Sequence, residues 1–151
     1  AEISFAEQNV EAYEFEPDRK RISALFKTLL SLQITHLLVK QFIQGEKPMT
    51  QPLISEALDI PIRLVRDILG ELSECGLVSS GASEGGDEDT YQPARDINDF
   101  SISFIIDALE HKGIDTIPVA RTDSFTALSE TLKEFSATIE KSPANRLLKD
   151  I

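Results

Sequence analysis

The chain has 151 residues, enough for one compact domain with a hydrophobic core or for one domain with arms. Its formal net charge is −11, and a chain this acidic repels phosphate backbones and anionic lipid. General affinity for nucleic acid is therefore disfavoured. The single cysteine excludes an intramolecular disulfide and fits a reducing compartment.

The first residues alternate apolar and acidic side chains as far as position 16. Because the chain begins with Ala1 rather than Met, we expect it to be a fragment of a longer protein. Pro17 and the charged run Asp18–Arg21 form a boundary. From Ile22 to Gln44 apolar residues recur at helical spacing, which predicts one long amphipathic helix that ends at Gly45.

The next segment has the pattern of a helix-turn-helix. Thr50 can cap a helix, Asp59 lies in a short turn, and Pro61 can begin the following helix. The residues predicted to be buried are Leu53, Ile54, Ala57 and Leu58 in the first helix and Leu64, Val65, Ile68, Leu69 and Leu72 in the second. Gly76 suits the left-handed position that ends a helix.

A β-wing is predicted after this pair of helices. Leu77 and Val78 begin a strand, residues 81–90 form a flexible acidic hairpin tip, and Tyr91 and Gln92 return as the second strand. The fold class is therefore mainly α with a small β-hairpin, a winged helix-turn-helix with additional N-terminal and C-terminal helices.

Two more helices are expected towards the C-terminus. Asp96 or Asn98 caps the first, and Thr122 or Asp123 caps the second after an extended stretch at 114–119. The second helix carries a narrow apolar seam with steps of three and four residues: Phe125, Leu128, Leu132, Phe135 and Ile139. We interpret this seam either as a face docked on the core or as an interaction surface. Pro143 ends the helix and leaves a tail.

The charges of the helix-turn-helix argue against a DNA reader. The second helix of such a motif enters the major groove, and here Arg63 and Arg66 are its candidate groove residues. Residues 50–95 hold three arginines and nine carboxylates, four of which lie at the wing tip. Since carboxylates oppose phosphate contacts, we interpret both arginines as partners of neighbouring acidic side chains.

The residues do not form a recognisable catalytic or metal-binding pattern. His36 and His111 have no cysteine or second histidine at ligand spacing. The acidic wing tip lacks the spacing of a calcium loop, and Cys75 lies beside Glu74, which should raise the pKa of its thiol. We therefore predict no catalytic, cofactor-binding or metal-binding residues, and no enzymatic activity.

The N-terminal residues 1–6, AEISFA, resemble the end of the last transmembrane helix of the YihY/BrkB family, formerly called ribonuclease BN. Further pieces are similar to the cytoplasmic winged-helix tail of some members: Phe42, Gly45–Pro48, Ile60–Val65, Gly76–Val78, Tyr91–Ala94 with Asp96–Ile97, and Leu147–Asp150. The winged core also looks like that of Rrf2-type regulators, whose cluster-binding cysteines have no counterpart here beyond Cys75.

The resemblance implies three parts: a membrane-exit arm at 1–18, a winged-helix domain at 19–112 and a C-terminal extension with an amphipathic helix at 113–151. The three basic residues of 18–21 fit the cytoplasmic side of such an exit. The implied function is a non-catalytic interaction or regulatory domain at the cytoplasmic face of a bacterial inner membrane. Its implied partners are the membrane-embedded part of the same polypeptide and, through the seam, another protein or a second copy. Nucleic acid is disfavoured by the acidic surface.

Two alternatives remain open. One is a DNA-binding winged-helix transcriptional regulator, with Arg63 and Arg66 in the groove and the basic run 19–21 adding phosphate contacts. The other is the tRNA-processing activity that the family's older name suggests. No cofactor is expected.

Overall fold

The computed structural model describes residues 21–151. The membrane-exit arm at 1–18 and most of the basic run lie outside the described residues. The helices of this part are α1 Ala24–Ile43, α2 Gln51–Leu58, α3 Ile62–Glu74, α4 Ile102–Glu110 and α5 Asp123–Lys141. The strands are β1 Met49–Thr50, β2 Val78–Ala82 and β3 Asp89–Pro93, and short 3-10 helices span Ile97–Asp99 and Leu148–Asp150.

The predicted fold class is confirmed. Helices α2 and α3 form a helix-turn-helix, β2 and β3 pair antiparallel as a wing, and additional helices flank them on both sides. The wing is wider than the predicted hairpin, because β1 pairs with β3 to give a three-stranded sheet in the order β1-β3-β2. The strands also extend to Ala82 and from Asp89, into the segment predicted as a flexible tip.

Helix α3 is the centre of the core, as its sequence predicts. All five of its predicted inward residues are buried. Gly76, just after the helix, has the left-handed φ of +72° that is typical of a helix end. The other wall is α1, whose middle turns bury Ile34, Leu38 and Val39. Its first turns leave Leu25 and Phe26 exposed, so only part of the predicted apolar face meets the core.

The predicted burial of α2 is wrong for two residues. Leu53 is 50% exposed and Ala57 is also exposed, while Ile54 is fully buried. A helix of eight residues is only about two turns long and directs few side chains at its neighbour. Asp59 forms the turn with a left-handed φ of 54°, which short polar side chains tolerate.

The chain between the wing and α4 also differs from prediction. Asp96 caps the short turn Ile97–Asp99 through the amide of Asn98 at 2.9 Å. The cap of α4 is Ser101, whose hydroxyl accepts the amide of Phe104 at 3.1 Å. The helix starts later because Phe100 is fully buried in the core and fixes the chain just before it.

The predicted C-terminal tail returns to the core. The amide of Leu148 donates to the carbonyl of Phe100 at 2.8 Å, and the Leu148 side chain is 2% exposed. The Lys40 ammonium of α1 donates to the carbonyl of Lys149 at 2.8 Å. The last residues therefore pack against α1, and the domain boundaries at 18 and 112 stay predictions.

Candidate functional site

Helix α3 has one buried face and one polar, exposed face. Pro61 precedes it with an extended backbone, and its carbonyl accepts the first helical amides, from Leu64 and Val65 at 3.0 Å each. Arg63 and Arg66 lie one turn apart near the N-terminal end, and both are exposed. The structure thus places the two predicted groove residues on the solvent side of a helix whose opposite side is fixed in the core.

A groove of about 250 Å³ separates this helix from the wing. Its walls are formed by Gln51, Pro52, Ile62, Arg66, Glu88 and Asp89. The Arg66 side chain and two of the wing carboxylates therefore share one groove, and α3 and the wing present a single continuous surface.

The amide of Gln51 connects both sides of this surface. Its Nε2 donates to the hydroxyl of Tyr91 on β3 at 2.9 Å, and its Oε1 accepts from Nε of Arg66 at 3.4 Å. The sequence reasoning missed Gln51 and Tyr91. No local pattern identifies this pair, because Gln51 meets Tyr91 only through the pairing of β1 with β3, forty positions along the chain.

Three lysines from outside the helix-turn-helix and the wing contact acidic side chains of these two elements. Lys27 of α1 donates to Glu71, and Lys112 lies 3.6 Å from Glu71 and 3.3 Å from Glu74. Partial burial acts to lower the pKa of Lys112, but Glu71 and Glu74 together raise it above its ordinary value.

Lys47 contacts the wing tip in the same way, with its Nζ 3.0 Å from Glu84. Both side chains of this pair are more than four-fifths exposed, so the ion pair adds little to stability. The pair nevertheless places the Lys47 ammonium beside the acidic tip of the wing. Three of the nine carboxylates therefore have a lysine partner that a count over residues 50–95 omits.

Helix α5 carries the predicted seam on an unpacked surface. None of its nineteen residues is buried, and its main packing partner is α4. Leu128, Leu132 and Phe135 expose 66, 64 and 58% of their surface, and Phe125 and Ile139 expose 38 and 52%. The interpretation as a face docked on the core of the same chain is therefore not what the structure shows, and the interaction surface stays a prediction.

The histidines and the cysteine have structural surroundings. His111 follows α4, and its Nδ1 lies 2.8 Å from the carbonyl of Asp107. Burial raises the pKa of the Cys75 thiol, which donates to the carbonyl of Ala108 at 3.4 Å. Within residues 21–151, no group of three or more His, Cys, Asp or Glu side chains could hold a metal ion.

Comparison with known proteins gives matches among solved structures. No family model matches the chain, and no curated protein does. The chain is similar to T. potens IscR, with 20% identity and a TM-score of 0.56 over 85% of this chain and 86% of that one. It is also similar to CymR, the global cysteine regulator of B. subtilis, with 21% identity and a TM-score of 0.56 over 85% and 93%.

A candidate transcriptional regulator of Listeria innocua matches with 19% identity and a TM-score of 0.56, over 83% of this chain and 82% of that one. At these identities the likeness establishes the winged-helix fold. Two of the three matched proteins are named as regulators, and none of the three is named as an enzyme.

These matches overturn four expectations. The predicted membership of the YihY/BrkB family is wrong, and so is the predicted function as the cytoplasmic tail of a membrane protein. The predicted partners are also wrong, because they included a membrane-embedded part of the chain and disfavoured nucleic acid. The predicted location at the inner membrane is wrong as well. The residues that suggested the family at 1–6 lie outside the described part. The others, such as Pro61 at a helix start and Gly76 at a helix end, are what any winged helix needs.

In the described residues 21–151, no helix is both long and apolar enough to cross a membrane.

Proposed function

We propose that the chain is a DNA-binding winged-helix transcriptional regulator. The observation that carries the proposal is the shared surface of α3 and the wing, on which Arg63 and Arg66 are exposed at the N-terminal end of α3. In helix-turn-helix proteins this end of the second helix meets base edges in the major groove. The matched solved structures have the same fold and include proteins named as regulators.

The rigidity of α3 supports this role. Five apolar side chains hold its inner face: Leu64, Val65, Ile68, Leu69 and Leu72. A side chain can read a base only if its backbone is held to within a fraction of an ångström, and a helix locked in a core meets that condition. Arginine is the side chain that most often contacts guanine, through two parallel hydrogen bonds.

The charge distribution around α3 should repel DNA less than the charge count over residues 50–95 suggests. Glu71 and Glu74 belong to the last turns of α3, where they contact Lys27 and Lys112. These acidic side chains are therefore at the opposite end of α3 from the two arginines. Glu88 and Asp89 remain beside the groove, and we expect them to make affinity for DNA without the target sequence weak.

We further propose that the seam of α5 binds a second copy of the chain, as two half-sites of DNA require. The positions that flank the seam hold hydroxyl side chains, Ser129 and Ser136 on one side and Thr131 and Thr138 on the other. In an antiparallel pair of α5 helices these hydroxyl residues would meet each other. A chain with a net charge of −11 repels its own copies, so an interface without charged flanks suits self-association.

The regulator role includes no chemical step. We propose that the chain is not an enzyme, and the support for this is that the matched structures include proteins named as regulators. A ribonuclease has no support in the matched structures.

DNA binding is tested by selection from a pool of random-sequence duplexes, followed by affinity measurements on the enriched duplex at several salt concentrations. We expect an enriched sequence. Arg63→Ala or Arg66→Ala should each weaken binding by about tenfold, and each phosphate contact removed should reduce the salt slope by about 1. Arg146→Ala is the matched control, because Arg146 contacts the carbonyl of Asp150 at the C-terminus. A pool that yields no enriched sequence and no binding at about 50 mM salt would refute the proposal.

Self-association is tested by sedimentation equilibrium. The chain should form a dimer in the micromolar range, and Leu132→Asp at the middle of the seam should leave a monomer with unchanged helix content. Leu53→Asp is the control, because Leu53 is similarly exposed on α2. A wild-type monomer across this range, or an equal effect of both substitutions, would show that the seam does not bind a second copy.

A further inference from the structure

The start of α2 is tied to the wing through the backbone. Strand β1 pairs with β3 so that Met49 lies opposite Tyr91 and Thr50 lies opposite Thr90. Gln51 follows at once as the first residue of α2, and Thr50 caps the helix by accepting the amide of Leu53 at 3.4 Å. The backbone of Gln51 is therefore fixed by a strand on one side and a helix cap on the other.

The side chain of Gln51 is fixed as well. Tyr91 is 8% exposed, and its hydroxyl accepts the Nε2 donor of Gln51 at 2.9 Å. This hydrogen bond leaves Oε1 of the amide directed at Nε of Arg66, 3.4 Å away. A buried tyrosine of the wing thus orients an amide, and the amide in turn holds an arginine of α3.

We infer that Gln51 is a positioning residue that presents Arg66 to DNA. This inference rests on the DNA-binding function proposed above. A guanidinium has five N–H donors in a rigid plane. When Nε is held by Gln51, the two terminal nitrogens remain available, and these are the donors that contact guanine O6 and N7 in a bidentate pair.

The same groove contains competing partners for Arg66. Glu88 and Asp89 line it together with Gln51. Without the bond from Gln51, the guanidinium can rotate towards these carboxylates, which attract it and withdraw its donors from DNA. Gln51 therefore keeps Arg66 directed at the DNA side of a groove whose wing side is acidic.

The test uses the full chain and the duplex that the wild type selects from the random pool. Gln51→Ala should weaken binding about fivefold, and Tyr91→Phe, which removes only the hydroxyl, should weaken it less. In the Arg66→Ala background, Gln51→Ala should have almost no further effect, because an arginine that is absent cannot be positioned. Gln92→Ala is the matched control, since Gln92 is an exposed glutamine on the same strand as Tyr91.

A rescue experiment separates positioning from a general effect on folding. In a background with Glu88→Gln and Asp89→Asn, the loss caused by Gln51→Ala should shrink to less than about twofold, because the competing carboxylates are gone. Circular dichroism and thermal unfolding should show that each variant is folded.

The outcomes are distinguishable. Wild-type protein that binds no duplex overturns the proposed function and this inference with it. Binding that falls with Arg66→Ala but not with Gln51→Ala overturns the inference alone. Losses from the two substitutions that simply add, or a loss that persists without the wing carboxylates, also overturn it.

Discussion

Leu148 gives the sharpest test of the packing described here. The residue is the fourth from the end of the sequence, yet its side chain is 2% exposed and belongs to the core that α1 and α3 form. Leu148→Ala removes three carbons from that core. At about 0.8 kcal/mol for each buried methylene, the transfer contribution is about 2.4 kcal/mol. The cavity left behind brings the expected loss in the free energy of unfolding to about 3 kcal/mol.

This loss is measured by urea unfolding followed by circular dichroism, at one protein concentration because self-association would stabilise the fold by mass action. The melting temperature should fall by about 10 °C. Ile151→Ala is the control, because Ile151 is also C-terminal but 49% exposed, and it should cost less than about 1 kcal/mol. Leu148→Met, which conserves volume, should cost less than about 1.5 kcal/mol.

Equal effects of Leu148→Ala and Ile151→Ala would refute the reasoning, since both residues would then be outside the core. A loss for Leu148→Ala with a changed denaturant slope would mean that only the C-terminus detaches.

Three further predictions concern single residues. Gly76→Ala should destabilise the fold by about 1 kcal/mol because Gly76 has a φ of +72°, whereas Gly70→Ala inside α3 should stabilise it by about as much in the same urea assay. Because burial raises the pKa of Cys75, iodoacetamide should modify it more slowly in the folded chain than in urea, with the rate profile displaced to higher pH; equal rates would contradict this. Burial, and secondly Lys40, lower the pKa of His36, so the unfolded chain binds a proton that the folded chain does not. Stability should decrease as the pH falls below about 6.5, and His36→Gln should lack this part of the pH dependence in urea unfolding.

Local patterns predicted the centre of the fold correctly. In α3 the five predicted apolar positions are all buried, because a helix between two others needs a broad inward face and the 3.6-residue period identifies it. Gly76 was predicted from the same logic, since the backbone after the helix needs a positive φ that glycine adopts without strain. Thr50 caps its helix as predicted, and Thr122, one of the two predicted candidates, caps α5.

Features that depend on distant partners were not predictable in this way. Strand β1 is two residues long and exists because β3 passes beside it, forty positions along the chain. The C-terminal residues read as a tail, but the carbonyl of Phe100 accepts the amide of Leu148 and fixes it in the core. The burial of α2 was overestimated because its apolar composition does not reveal how few of its residues meet a neighbour.

The candidate site also combines residues that local patterns predict with residues that depend on distant partners. Arg63 and Arg66 were predicted as groove residues from their place in α3, and this role stays a prediction. Gln51 is connected to Arg66 only through the packing of β1, α2 and β3.

The charge argument failed for a related physical reason. A sum over residues 50–95 treats the segment as an isolated body, but electrostatic potential at a surface depends on every charge within about 10 Å. Lys27, Lys47 and Lys112 come from α1, the loop after it and the end of α4, and each contacts a carboxylate of the segment. Glu88 and Asp89 still line the wing side of the groove that Arg66 also lines. Carboxylates oppose phosphate contacts on that side. Under the proposed DNA-binding function, we therefore expect the free energy of binding to come from α3, and we expect a duplex that α3 cannot read to be released.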